Sequence, residues 1–212
     1  MEYSAVITAA GSGTRMQLGY NKVYYRLDGK TILERSLETF LNDEDCKQIV
    51  IVTDCVTYHK ELPHMLQGKI VLCEGGETRQ ESVSNGVAAA LCDVVMIHDG
   101  ARPYVSKENI DALKETMKEE EACCLMVPCK DTIKVVKDGY IEETLVRDAL
   151  RAAQTPQVFK TDLYLSCVEK AKQDNFVATD DCSLVEKYSD AKIKVVEGSY
   201  ENLKVTTPED VK

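Results

Sequence analysis
Short apolar runs alternate with amphipathic stretches along most of this chain. The first run, Ser4-Ala5-Val6-Ile7-Thr8-Ala9-Ala10, predicts a buried strand, and comparable runs recur at 48–53, 69–73, 94–97, 124–127 and 192–196. Between them, apolar residues return every three or four positions. Thr31-Ile32-Leu33-Glu34 has capping-box spacing, and Ser36, Leu37, Phe40 and Leu41 continue its apolar stripe. Further helices are predicted at about 56–66, 78–91, 106–121, 161–173 and 180–188. Strands alternating with helices imply parallel pairing through right-handed crossovers, hence a layered α/β fold.

The alternation breaks once. Thr132-Ile133-Lys134-Val135-Val136-Lys137 and Tyr140-Ile141-Glu142-Glu143-Thr144-Leu145 flank Asp138-Gly139, which signals a hairpin with a tight turn. Both arms alternate apolar and polar residues, so one face needs cover from its own domain or from a second subunit. No linker, repeat or low-complexity tract interrupts the chain. The expectation is one domain over 1–212 with a β-arm at about 130–147.

Composition narrows the classes. With 212 residues, 44% of them hydrophobic, the chain can bury one sizeable core. A net charge of −10 argues against non-specific nucleic-acid binding, yet leaves room for an anionic small substrate held by a few local cations. The N-terminal sequence lacks a secretory pattern and no apolar run reaches membrane-spanning length, so no membrane partner and a cytoplasmic location are expected. Nine cysteines without a Cys-x-x-Cys pair read as reduced thiols rather than disulfides or a zinc site.

The first strand runs into Gly11-Ser12-Gly13-Thr14-Arg15-Met16, and Lys22 follows. Glycines at 11 and 13 let backbone N–H groups approach phosphate oxygens, while Arg15 and Lys22 supply fixed positive charge. The loop fits neither standard nucleotide motif. Met16 occupies the third glycine position of the dinucleotide fingerprint, and no Gly-Lys-Ser/Thr follows at P-loop spacing.

Other polar clusters fall at strand ends. Gly75-Gly76-Glu77-Thr78-Arg79-Gln80-Glu81-Ser82 also suits an ordinary turn and capped helix. Asp99-Gly100-Ala101-Arg102-Pro103 sets a carboxylate beside a guanidinium: either a self-satisfied pair, or Asp99 for a hydroxyl or hydrated metal and Arg102 for a phosphate. Arg147 and Thr155-Pro156-Gln157 follow the hairpin, and Thr179-Asp180-Asp181 is a sufficient helix cap. Lys204 lies in an apolar-flanked stretch read as a strand, an odd place for an unpaired charge. Cations around a glycine loop, without a covalent nucleophile, point to electrostatic catalysis of a phosphoryl or nucleotidyl transfer.

Taken in order, Ala9–Met16, Gly75-Gly76-x-x-Arg79-x-x-Ser82-Val83, His98–Pro103, Asp131-Thr132, Arg147, Thr155-Pro156-Gln157, Thr179-Asp180 and Leu203–Thr206 with Pro208-Glu209-Asp210 resemble the 2-C-methyl-D-erythritol 4-phosphate cytidylyltransferase family, over nearly the whole chain. The resemblance implies a Rossmann-like layered domain of nucleotidyltransferase type, with a mostly parallel sheet and a protruding β-hairpin arm through which two copies form a homodimer. It implies CTP and a polyol phosphate as partners and Mg²⁺ as cofactor, held mainly by the CTP phosphates, with Asp99 the one protein ligand to consider. Arg15 and Lys22 match the positions that stabilise the transition state, and Arg147 and Lys204 those that position the acceptor. Ala9, Ala10, Gly11, Gly13, Gly76 and Ser82 match the cytidine and phosphate side. Asp99, Gly100, Arg102, Thr132, Thr155 and Thr179 match other substrate-binding positions.

Three departures stand out. Asn21-Lys22-Val23 replaces the usual Pro-Lys-Gln, Gly100 a commoner Ala, and Cys182 a small Ala. The nearest rival is a cytidylyltransferase for another polyol phosphate such as ribitol 5-phosphate. An NAD-dependent oxidoreductase and a non-catalytic nucleotide-binding module are the readings from other classes.

Overall fold
The computed structural model describes residues 1–11, 16, 18–65 and 68–211. The first half of the chain forms β1 (Tyr3–Thr8), β2 (Arg26–Leu27), β3 (Lys30–Thr31), α1 (Ile32–Leu41), β4 (Cys46–Thr53), α2 (Cys55–Glu61), β5 (Ile70–Glu74) and α3 (Arg79–Ala88). Then come β6 (Val94–Asp99), α4 (Lys107–Thr116), β7 (Ala122–Pro128), β8 (Lys134–Lys137), β9 (Tyr140–Thr144) and β10 (Arg151–Lys160). The last elements are α5 (Thr161–Gln173), α6 (Asp181–Tyr188) and β11 (Ile193–Glu197).

Seven strands form one sheet in the order β11-β7-β10-β6-β1-β4-β5. Strand β10 runs antiparallel to both neighbours, and every other pair in this sheet is parallel. The fold class expected from the chain's periodicity is the one observed. Side chains alternate across β1: Tyr3, Ala5 and Ile7 meet α1 and α4 on one face, and Val6 meets α3 on the other. Leu33, Leu37 and Phe40 of α1 and Ile110 and Leu113 of α4 bury in the first layer. Val83 and Val87 of α3, Tyr164 and Val168 of α5 and Leu184 and Val185 of α6 bury in the second. The capping box at Thr31 is formed in both directions, with Glu34 N–H donating to Thr31 Oγ1 at 3.1 Å and Thr31 N–H to Glu34 Oε2 at 2.6 Å.

Two elements differ from the sequence reading. No strand was expected between the hairpin and α5, yet β10 is the longest strand in the sheet. Its sequence, Arg151-Ala152-Ala153-Gln154-Thr155-Pro156-Gln157-Val158-Phe159-Lys160, carries too many polar residues and a proline to read as a central strand. Burial between β6 and β7 overrides that local signal. The β10–β7 register breaks between Ala153 and Gln157, so the buried Gln154 and Thr155 leave the ladder there. The second difference is at 202–206, where no strand forms. That segment instead lies along the loop after β6, with Val205 N–H donating to Ala101 C=O at 2.8 Å.

The β8–β9 hairpin turns at Asp138 and Gly139, whose φ values of +51° and +84° are those of a tight two-residue turn. The same dipeptide at Asp28-Gly29 makes the small β2–β3 hairpin, which two-residue arms hid from periodicity. A bulge between Val135 and Val136 sets Val136 opposite Ile141. Val136, Tyr140 and Ile141 are exposed. All nine cysteines are free thiols. No helix among the described residues is long and apolar enough to cross a membrane.

Candidate active site
A cleft of about 490 Å³ opens at the carboxyl ends of β1 and β6, the edge at which open α/β sheets take ligands. Thr8, Ala9, Ala10 and Gly11 line it from the β1 exit, Asn21, Lys22 and Val23 from the following 3₁₀ turn, and Gly76 to Arg79 with Ser82 from the head of α3. Asp99, Ala101 and Lys204 complete the lining.

Each wall has a local cause. Ala9 N–H donates to Val52 C=O at 2.8 Å, which holds the β1 exit against β4. Ser82 Oγ donates to Thr78 C=O and accepts from Gly76 N–H, both at 2.9 Å, folding the Gly75-Gly76 turn over the first turn of α3. A Cβ on Gly75 would sit 2.6 Å from Ala10 Cβ, so only glycine lets these two loops meet. Lys204 is carried between two fully buried anchors. Asn202 donates from Nδ2 to Thr155 C=O at 2.9 Å, and Val205 packs with Met16 and Ile32.

Asp99 is the electrostatic centre. Lys204 Nζ lies 2.8 Å from Oδ2, Arg102 Nε 3.6 Å from Oδ2 and Arg79 Nη2 3.7 Å from Oδ1. Burial alone would raise this carboxyl's pKa, but Lys204, Arg79 and Arg102 outweigh it and hold it well below the usual carboxylate range. Arg79 is in turn anchored to Asp181, 2.8 Å away, whose other oxygen accepts from Tyr164 Oη at 2.8 Å. Burial would lower the Arg79 pKa, yet Asp181 and Asp99 raise it further above its already high range. Cations therefore outnumber carboxylates on the cleft wall of a chain whose overall charge is negative.

Behind Asp99, a neutral relay fixes the strand end. His98 is fully buried, and its Nε2 faces Arg102 C=O at 3.2 Å, an acceptor, so Nε2 carries the proton. Nδ1 then accepts from Thr155 Oγ1 at 3.0 Å, while that same oxygen accepts Asp99 N–H at 3.0 Å. Burial pushes the His98 pKa down to about 4. In the unfolded chain it titrates at about 6.5, so as pH falls through that value the unfolded state takes the proton first. Stability fully present above that pH is lost progressively towards pH 4, by about 3 kcal/mol from this group. Urea midpoints for wild type should fall between pH 7 and 4.5, with a shallower fall in His98→Gln.

The 2-C-methyl-D-erythritol 4-phosphate cytidylyltransferase family model matches residues 3–212. This chain belongs to that family. Enzymes of that name from Halalkalibacterium halodurans and Bacillus licheniformis are 44% and 40% identical to it, over all of this chain and 94% and 93% of theirs. Among solved structures, the Francisella tularensis enzyme of the same name superposes with a TM-score of 0.87 at 33% identity, covering all of this chain and 97% of that one. The 4-diphosphocytidyl-2C-methyl-D-erythritol synthase of Anaerococcus prevotii also gives 0.87 at 33%, covering 99% and 94%.

The cleft brings together Ala9, Ala10, Gly11, Lys22, Gly76, Ser82, Asp99 and Lys204 of the residues singled out in sequence. Gly13 and Arg15 lie outside the described residues. Gly100, Arg102 and Thr155 stand behind the wall: Gly100 N–H donates to Thr8 C=O at 2.9 Å, and Arg102 Nη1 to Asn202 C=O at 2.7 Å. A Cβ at position 100 would meet Thr8 O at 3.0 Å and Leu33 Cδ1 at 3.2 Å, which gives the glycine there a packing reason. Thr132, Arg147 and Thr179 are exposed and do not line this cleft. Arg147 opens a 3₁₀ turn after the hairpin, and Thr179 Oγ1 lies 3.2 Å from Ser183 Oγ.

Sequence reasoning missed Asp181 and Tyr164, because an aspartate pair at a helix start is explained by capping. Asp180 does cap α6, accepting Ser183 N–H at 2.9 Å. Asp181 instead points inward and is 2% exposed. Gln157 clamps the same helix start, donating to Asp180 Oδ2 and accepting Cys182 N–H, both at 2.9 Å.

Proposed function
We propose that this chain transfers CMP from CTP to 2-C-methyl-D-erythritol 4-phosphate, giving 4-diphosphocytidyl-2-C-methyl-D-erythritol and pyrophosphate, in isoprenoid precursor synthesis. The observation that carries the reading is the convergence of Lys22 and Lys204 on the one cleft lined by Ala9–Gly11, within a chain of this family.

The nucleotide sits against the β1 exit and the Gly76–Ser82 turn, whose backbone groups are shaped for close approach. A phosphate oxygen of the acceptor attacks the α-phosphorus in line. The new P–O bond forms as the bond from the α-phosphorus to the bridging oxygen breaks, and that oxygen departs with the electron pair as pyrophosphate. The attacking phosphate is anionic at neutral pH, so no general base is required. Lys22, with Arg15, meets the charge that grows on the α-phosphoryl oxygens, and Lys204 holds the acceptor phosphate. Asp99 receives the acceptor's hydroxyl side, and Arg102 and Thr155 hold Asp99 in place.

Mg²⁺ fits this site. No cluster of three metal-binding side chains exists among the described residues, while the cleft holds one buried carboxylate, Asp99. One carboxylate plus the nucleotide's own oxygens suits a small hard cation that keeps several waters. Asp99 would be its protein ligand, and the ion would supply charge neutralisation on the phosphates.

We also place the enzyme in the cytoplasm as a homodimer joined by its β-arm. Free cysteines support the first. Exposed Val136, Tyr140 and Ile141 on a hairpin support the second, and Arg147 and Thr132 at its base then reach the partner's cleft. A Val136→Asp/Ile141→Asp variant should run as a monomer in light scattering. If it stays dimeric, the arm is not the interface.

The deciding assay is pyrophosphate release with CTP and Mg²⁺, offering methylerythritol 4-phosphate and ribitol 5-phosphate in parallel. Release with the first alone is expected. Release with the second alone would keep the reaction class and overturn the substrate.

A further inference from the structure
We propose that Asn21 is a positioning residue for Lys22, its side-chain amide tying the turn that carries the lysine to the strand exit that seats the nucleotide. The inference rests on the cytidylyl transfer proposed above. Lysine is a point charge on a long rotatable stem, so its aim depends on how firmly its backbone is held. The turn Lys22–Tyr24 is a single 3₁₀ turn, too short to define its own position.

Two sets of contacts define it instead. On the core side Val23 and Tyr24 are buried, and Tyr24 Oη lies 3.2 Å from Thr53 Oγ1 at the end of β4. On the cleft side Asn21 Nδ2 donates to Ala9 C=O at 2.6 Å, and Asn21 Oδ1 accepts Val23 N–H at 3.2 Å. The amide spans the gap in one orientation only, because a carbonyl needs a donor and an N–H needs an acceptor. Ala9 is itself fixed to β4 through its N–H to Val52 C=O. Asn21 therefore closes a path from the sheet, through the backbone that faces the nucleotide, to the root of Lys22. The Asn21 φ of −64° is an ordinary extended value, so these contacts need no backbone strain.

An aspartate here would set a carboxylate against Ala9 C=O, and a serine would cap Val23 without reaching Ala9. Asn21→Ala and Asn21→Ser separate these contributions. Both should lower kcat by roughly tenfold, the cost of a small misplacement at a reacting centre, with KM for CTP nearly unchanged. In a Lys22→Ala background, Asn21→Ala should cost nothing further, since no lysine remains to be aimed. Wild-type kcat in Asn21→Ser would reduce Asn21 to a turn cap and overturn the proposal. So would the same tenfold loss with and without Lys22. If Asn21→Ala does not fold, Asn21→Ser carries the same test in both backgrounds. A wild-type enzyme that releases no pyrophosphate sinks the cytidylyl-transfer reading, whereas an active wild type with an indifferent Asn21 sinks only this one.

Discussion

Replacing Lys22 with alanine is expected to lower kcat by about 10²–10³-fold while CTP affinity changes little. Binding and turnover separate because the bound nucleotide already has many partners: Ala9, Ala10, Gly11, Gly76 and Ser82 offer backbone and hydroxyl groups along the same cleft. The ammonium is needed most when negative charge builds on the α-phosphoryl oxygens, and a preorganised cation costs no reorganisation at that moment. Lys22 also lies close enough to Asp210 to help hold that carboxyl below its usual range, after the dominant hydrogen bonds from Thr207 and Thr206. The C-terminal turn Pro208–Val211 thus shares its charge environment. Single-turnover rates with saturating CTP, set beside a binding titration, give the measurement. An unchanged kcat would remove Lys22 from the chemistry.

Lys204→Met should lower kcat/KM for the acceptor by about 100-fold with CTP binding near wild type, the scale seen when one partner of a hydrogen-bonded charge pair is truncated. The stem volume is kept, so Asn202 and Val205 should still dock the segment. What is lost is the ammonium 2.8 Å from Asp99. Asp99 then keeps the longer contacts to Arg79, Arg102 and the Thr8 hydroxyl, and its pKa rises from its depressed value. An acid limb in the pH profile of the variant, at higher pH than in wild type, is the accompanying sign. A loss of CTP affinity equal to the loss for the acceptor would place Lys204 on the nucleotide side instead.

The pair shows how differently two lysines can be read. Lys22 was legible because it follows a glycine loop at the end of an apolar run, and a strand end in a parallel sheet is where ligands bind. Lys204 was conspicuous only as a charge among apolar neighbours. Reading that stretch as a strand was mistaken, since Asn202 and Val205 bury against β10 and α1 rather than in a ladder. Arg79 stood in one of the sequence motifs, yet its anchor Asp181 lies 102 residues on, a distance that no local pattern spans.

By itself the sequence determined what local periodicity and turn chemistry carry: the buried parallel strands, the amphipathic helices between them and the Asp138-Gly139 turn. Those features depend on neighbours within a few residues, where hydrophobic spacing and allowed φ values act directly. Tertiary structure decided the rest. It made a strand of the polar Arg151–Lys160 segment because two hydrophobic neighbours, β6 and β7, supplied its hydrogen bonds and its burial. It also brought Lys204, Arg79 and Arg102 around Asp99. Charge attraction acts through space and not along the chain, so only the folded molecule reveals which cations one buried carboxylate gathers.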